Sequence, residues 1–200
     1  MIHVCYGLRD ESGNYSKHTG TSIQSLLDNT KEEVTIHLIH DSTLTDKNQN
    51  KLAGIVYDHN QSVEFYNVEK LVPKQIEFIQ NKIPKAIKYW ATIAGFYRCL
   101  VLDLFPREID RMIYLDSDIV VNLDINEMWQ IDLKGRPLAA MPQTPPDAEP
   151  ANFQRNFAVC KSGIIDPHDY FNSGVLMMDL NWLRSRGGGA SPQTVYSIVA

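Results

Sequence analysis

The chain has 200 residues, 44% of them hydrophobic and 22% charged, with a formal net charge of −5. One globular core of ordinary composition fits these values, and the acidic balance argues against a nucleic-acid footprint, although Lys82, Lys85 and Lys88 could form a local basic patch. Three scattered cysteines, Cys5, Cys99 and Cys160, make neither a disulfide framework nor a zinc spacing and read as buried thiols of a reducing cytosol.

The N-terminus enters a strand pattern at once, over Ile2 to Tyr6. No basic segment followed by an apolar core marks a signal peptide, so the expected location is the cytoplasm. Gly7 to Gly20 is a polar, turn-rich loop. Thr21 to Asp28 reads as a helix with Ile23, Leu26 and Leu27 on one face. Val34 to Ile39 is a second strand, and Asp41-Ser42 is a candidate cap for the helix Thr45 to Tyr57, which buries Leu52, Ile55 and Val56. Ser62 to Val68 alternates as a third strand. This β-α-β-α-β opening predicts a parallel sheet with helical crossovers.

A short helix is expected over Gln75 to Asn81, between Pro73 and Pro84. The clearest helical stripe runs from Tyr89 to Phe105, through Trp90, Ile93, Ala94, Tyr97, Leu100, Val101 and Leu104, with Arg98 off its centre and Pro106 ending it. Its apolar window is about half of the ~20 residues a membrane-spanning helix needs. Then come a strand at Met112 to Leu115, a helical turn at Asn126 to Gln130, a strand at Pro137 to Met141 and a proline-rich loop at Gln143 to Pro150. Phe171 to Met178 is a strand, and Asp179 to Arg186 a helix. Residues 1–186 are expected to form one domain. Gly187 to Gly189 would be a flexible break before a further helix capped by Ser191-Pro192, reaching residue 200 as though the protein were longer.

The chemistry concentrates at Arg111-Met112-Ile113-Tyr114-Leu115-Asp116-Ser117-Asp118-Ile119-Val120-Val121. A buried strand delivers two carboxylates to the rim of the sheet, where open α/β sheets bind ligands. Two carboxylates there repel each other unless a positive group intervenes, and a divalent cation with oxygen ligands is the simplest one. The Ile119-Val120-Val121 run behind them reads as a return to the core.

These residues resemble glycosyltransferase family 8, which includes glycogenin and the bacterial lipooligosaccharide galactosyltransferases. Tyr97-Arg98, Tyr114-Leu115-Asp116-Ser117-Asp118-Ile119-Val120-Val121 and Phe171-Asn172-Ser173-Gly174-Val175 stand in the family's order and spacing, and Asp10, Tyr15 and the Ser22 to Leu27 helix also fit. The resemblance implies a GT-A fold: a Rossmann-like, mixed but mainly parallel sheet flanked by helices. It implies a retaining transfer of a hexose from UDP-glucose or UDP-galactose to a saccharide, lipid-linked glycan or glycoprotein. By the same resemblance Asp116 and Asp118 would hold Mn²⁺ (or Mg²⁺) on the diphosphate. Asp10 and Tyr15 would receive the uracil, and Ser117 the ribose. Arg98 would contact the donor, and Asn172 and Ser173 would line the sugar pocket, with Gly174 leaving room. The family's remaining metal ligand, a histidine, and its acceptor-side motif would fall beyond residue 200, as would any peripheral membrane contact.

Two other readings stand beside this one. Asp116-Ser117-Asp118-Ile119-Val120 also fits the D-x-D-x-[TV] signature of haloacid-dehalogenase-like phosphatases, with Asp116 as nucleophile. That motif normally sits on a first strand, whereas here three strands precede it. A non-catalytic nucleotide-sugar binder is the third reading. Among the histidines, His3, His37 and His40 lie in or beside core strands and read as structural, and a lone loop histidine such as His168 is no metal ligand by itself.

Overall fold

The computed structural model describes residues 1–82, 84, 87–88, 92–142 and 171–186. β1 (Ile2–Leu8) is buried along almost its whole length because it lies in the middle of the sheet. It pairs in parallel with β2 (Val34–His40) on one side and β4 (Arg111–Leu115) on the other. β3 (Ser62–Asn67) extends the parallel set beyond β2. Beyond β4 the direction reverses: β6 (Phe171–Asp179) runs antiparallel to β4, and β5 (Leu138–Pro142) antiparallel to β6. The strand order is β3-β2-β1-β4-β6-β5, a mixed and mainly parallel sheet.

Side-chain alternation divides the core into two layers, one on each face of the sheet. Val4, Tyr6, Ile36, Leu38, Ile113, Leu115 and Met177 pack with Ile23 and Leu26 of α1 (Tyr15–Asn29) and Leu52 and Val56 of α2 (Asp46–Asp58). Cys5, Ile39, Met112, Tyr114, Leu176 and Met178 pack with Ile76 and Ile79 of α4 (Pro73–Lys82), which follows the single turn α3 (Val68–Leu71). The same layer holds a 3-10 helix (Ala94–Leu100), its continuation α5 (Val101–Leu104) and α7 (Leu180–Ser185). The short α6 (Ile125–Trp129) covers the other face through Ile125. Cys5 and Cys99 are buried free thiols. Among the described residues no helix is long and apolar enough to cross a membrane.

Several elements depart from expectation. α1 begins at Tyr15, six residues before the expected Thr21, because its first turns bury small polar residues, Ser16, Thr19 and Gly20, instead of an apolar stripe. Gly20 packs closely on α2 there: a Cβ would lie 3.1 Å from Ile55 Cδ1 and press on it. Thr45, and not Asp41-Ser42, caps α2, accepting from the Asn48 amide. Within the expected Tyr89 to Phe105 helix, residues 94–100 are 3-10, and 89–91 lie outside the described residues. Thr92 Oγ1 accepts from the Ala94 amide, and Arg98 Nε donates to the Gly95 carbonyl, which an α-helix would keep for the amide of residue 99.

Ile119-Val120-Val121 is not a core strand, and Val120 is 67% exposed. The segment is held from α1, with Ser25 Oγ accepting from the Val121 amide and Asn29 Nδ2 donating to its carbonyl. The expected loop at 143–150, Cys160, His168, and the break and helix at 187–200 lie outside the described residues.

Candidate active site

The C-terminal ends of β1 and β4 and the start of β6 meet at one rim of the sheet. The ladder between β4 and β6 runs one step past the strand, with the Asp116 amide donating to the Gly174 carbonyl at 2.7 Å. This brings the acidic turn against Phe171-Asn172-Ser173-Gly174. Asn172 Oδ1 accepts from the Gly174 amide at 2.7 Å, which fixes the bend at the start of β6. A Cβ on Gly174 would lie 2.6 Å from Asp116 Oδ2 and 3.0 Å from Asn172 Oδ1, so the glycine is what admits the Asp116 carboxylate.

Arg98 reaches this rim from the 3-10 helix. Its guanidinium lies 4.5 Å above the Tyr114 ring, donates to Asp116 Oδ1 at 2.7 Å, and also donates to the Ser173 carbonyl. Arg98 is therefore the counter-ion of Asp116 and a clamp between the ends of β4 and β6. Asp118 differs from its neighbour: it is exposed, and its carboxylate has no hydrogen-bond or ion-pair partner among the described residues. Tyr15, at the start of α1, stands close to both. Its phenol is pushed above its ordinary value first by burial, then by the charges of Asp118 and Asp116. Ser117, between the two carboxylates, is buried, and its hydroxyl donates to the Gly7 carbonyl at 3.3 Å. Its side chain serves the junction of β1 with the turn.

Asp10 follows β1 and is only 2% exposed. Its Oδ1 accepts from the Ser16 amide at 3.1 Å and its Oδ2 from Asn48 Nδ2 at 2.9 Å. The structure thus gathers Tyr15, Arg98, Asp116, Asp118, Asn172 and Ser173 at one rim, with Asp10 at the adjoining loop. A groove of about 380 Å³ between α1 and α2, lined by Gly13, Ser16, Lys17, Asn48, Lys51 and Ile55 among others, adjoins Asp10 instead of the carboxylate pair.

The donor set fits a hard divalent cation. It offers two carboxylates, one without a partner and one with Oδ2 beside a position that lacks a Cβ. Among the described residues no three His, Cys, Asp or Glu side chains come together as a metal cluster, so Asp116 and Asp118 are the candidate ligands these residues offer. Sequence reasoning missed Ser16, Thr43, Asn48 and Tyr114 as supports of the site. Asp41 was visible only as a candidate cap, and Tyr97 as a core residue and as part of the Tyr97-Arg98 motif, without a partner of its own.

Solved structures share this architecture. The galactosyltransferase LgtC in complex with donor and acceptor sugar analogues superposes with a TM-score of 0.67 at 16% identity, covering 98% of this chain and 69% of that one. Mouse xyloside xylosyltransferase 1 superposes with a TM-score of 0.63 at 19% identity, covering 98% of this chain and 70% of that one. The fold is therefore that of the GT-A glycosyltransferases. Residues 8–187 match glycosyl transferase family 8, and the chain belongs to that family. Among curated relatives it is 28% identical over 176 residues to general stress protein A of Bacillus subtilis, covering 86% of this chain and 55% of that protein. It is 28% identical over 185 residues to the lipopolysaccharide 1,2-glucosyltransferase of Escherichia coli K12, covering 90% of this chain and 48% of that protein. The chain spans about half the length of these curated relatives. Family membership displaces the phosphatase reading, and the acidic turn follows the fourth strand, not the first.

Proposed function

We infer that the protein transfers a hexose, glucose or galactose, from a UDP-sugar to a saccharide, lipid-linked glycan or glycoprotein acceptor with retention of configuration, using a divalent cation. The observation that carries the reading is the meeting of Arg98, Asp116 and the Asn172-Ser173-Gly174 bend at the rim where Asp118 stands unpaired among the described residues. Family membership and the GT-A fold support it.

Bound to Asp116 and Asp118, Mn²⁺ or Mg²⁺ would stabilise the negative charge that develops on the departing diphosphate. Tyr15 would stack on the uracil ring, and Asp10, whose buried carboxylate already accepts from the Ser16 amide and Asn48 Nδ2, would shape the loop that receives the ring's polar edge. Arg98 has further N–H groups for the donor's phosphate or sugar beyond those given to Asp116, Ser173 and Gly95. Asn172 and Ser173, both exposed at the bend, line the side on which the sugar would lie. A retaining transfer in which the acceptor attacks from the leaving-group face needs no protein nucleophile, so the paired nucleophile and acid carboxylates of glycosidases are not required.

UDP titrated with and without Mn²⁺ tests the reading. Tighter UDP binding with Mn²⁺ is expected, and Asp118→Ala should remove the metal-dependent part; equal wild-type affinity in both conditions would overturn the reading. Release of UDP from UDP-glucose or UDP-galactose separates transfer from the third possibility, a binder without turnover. A cytoplasmic location is part of the proposal, tested by fractionating cells that make the full protein.

A further inference from the structure

Asp41 is a buried carboxylate outside the rim just described. It follows β2, is 2% exposed, and its side-chain partners lead to two segments that carry residues of the donor site. Its Oδ1 accepts from the Thr43 amide at 3.0 Å and from the Thr43 hydroxyl. The same Thr43 Oγ1 accepts from the Asp10 amide at 2.7 Å. Its Oδ2 accepts from Arg9 Nη1 at 2.8 Å and from the Tyr97 hydroxyl at 2.9 Å. Arg9 is the neighbour of Asp10, and Tyr97 the neighbour of Arg98. One carboxylate therefore joins the base-side loop to the helix that brings Arg98 to the acidic turn.

A buried carboxylate is costly unless its charge is balanced and its lone pairs are filled. Here Arg9 supplies the charge, and hydroxyl and amide donors fill both oxygens, so the geometry around Asp41 is over-determined. Tyr97 has no freedom to release it. Burial pushes its phenol far above the ordinary value, and the Asp41 charge adds to that, so the hydroxyl stays a donor. Gly7 permits the approach: a Cβ there would lie 3.3 Å from Tyr97 Cβ and 3.4 Å from the Ala94 carbonyl.

We propose that Asp41 is a positioning residue that couples the uracil side of the donor site to its Arg98 side through Thr43 and Tyr97. The proposal rests on the donor-site reading above, and its tests separate the two. Tyr97→Phe removes one hydroxyl on the Arg98 side and leaves the Asp10 loop untouched. Coupling requires that it still speed hydrogen exchange at the Asp10 and Ser16 amides and lower the preference for UDP over CDP, each by about fivefold, the scale of one ordinary net hydrogen bond. Asp41→Asn cannot accept with both ends, so it should produce both effects more strongly, and Tyr97→Phe combined with it should add little further.

Exchange at Asp10 and Ser16 unchanged in Tyr97→Phe would overturn the coupling whatever the ligand results. A wild-type protein that does not distinguish UDP from CDP would overturn the uracil reading, while the exchange measurement would still decide whether the two segments are joined. Far-ultraviolet circular dichroism of each variant must match the wild type; should Asp41→Asn fail to fold, exchange in Tyr97→Phe by itself decides whether the coupling exists.

Discussion

Gly174 makes the narrowest demand at the residue scale. A methyl group at this position would press on Asp116 Oδ2 at 2.6 Å and on Asp116 Cγ at 3.2 Å, and neither can retreat without breaking the contact of Asp116 with Arg98. Gly174→Ala should therefore displace the Asp116 carboxylate, lowering Mn²⁺-dependent UDP affinity by roughly tenfold or more, as sub-ångström displacement of a positioned group does. Isothermal titration checks it, and wild-type affinity in the variant would show that the carboxylate is not held where the metal needs it. The acidic pair was legible in the sequence because two carboxylates end a buried apolar run, whereas Arg98 and the Asn172-Ser173-Gly174 bend were singled out by the family resemblance. Asp41, Thr43 and Asn48 were not. Each is a common loop or helix-start residue whose partners lie far along the chain, such as Asn48 on Asp10 and Tyr97 on Asp41, and no local pattern records such a pairing. The structural reading of His37 needed only local pattern: the ring, itself buried, donates or accepts at 3.0 Å from the half-buried His3 and 3.2 Å from the Tyr66 hydroxyl.

At the scale of elements, the strands were readable and the helices only partly so. The buried strands are apolar stretches interrupted by single polar residues such as His3, Thr35 and His37, and β1, β2 and β4 each stand where such a stretch stands. Helix boundaries failed where burial is served by small polar residues, as in α1, and helix type failed where a side chain takes a backbone carbonyl, as Arg98 does at Gly95. The strand direction beyond β4 could not be read, since apolar alternation is the same for either direction. The 3-10 helix is the element on which the site depends, because it alone carries Arg98, and it is seated on β1 at Gly7. Gly7→Ala would place a Cβ 3.2 Å from the Tyr114 hydroxyl, 3.3 Å from Tyr97 Cβ and 3.4 Å from the Ala94 carbonyl. Backbone and ring atoms there cannot step aside singly, so the helix must lift as a unit. The expected cost is about 1–3 kcal/mol of stability, the usual range for overpacking a filled core. Urea unfolding measures that cost. Arg98 should lift with the helix, so donor affinity falls even at temperatures where the variant is folded; a variant destabilised but binding UDP normally would show that the helix seat and the site are independent.

Across the whole molecule, two helical layers clamp one sheet, and a polar column runs through one of those layers. His3, His37 and Tyr66 form it, with Phe105 4.8 Å from both the His37 and Tyr66 rings. Burial pushes His37 from 6.5 to about 3, with the neighbouring His3 adding to the shift, and His3 is itself lowered by burial. Both rings are therefore neutral in the folded protein near neutral pH. In the unfolded chain His37 regains its ordinary value and binds a proton as the pH falls below 6.5. The folded state then binds fewer protons than the unfolded one, and its stability drops as the pH falls from 6.5 toward 3. The steepest contribution from one such group is about 1.4 kcal/mol per pH unit, and the midpoint of urea unfolding should fall accordingly between neutral pH and pH 4.5, about where ordinary carboxylates begin to titrate. His37→Phe should flatten that slope, because nothing at the position then takes up a proton on unfolding. Equal slopes in the two proteins would mean that the acid sensitivity of the fold resides elsewhere.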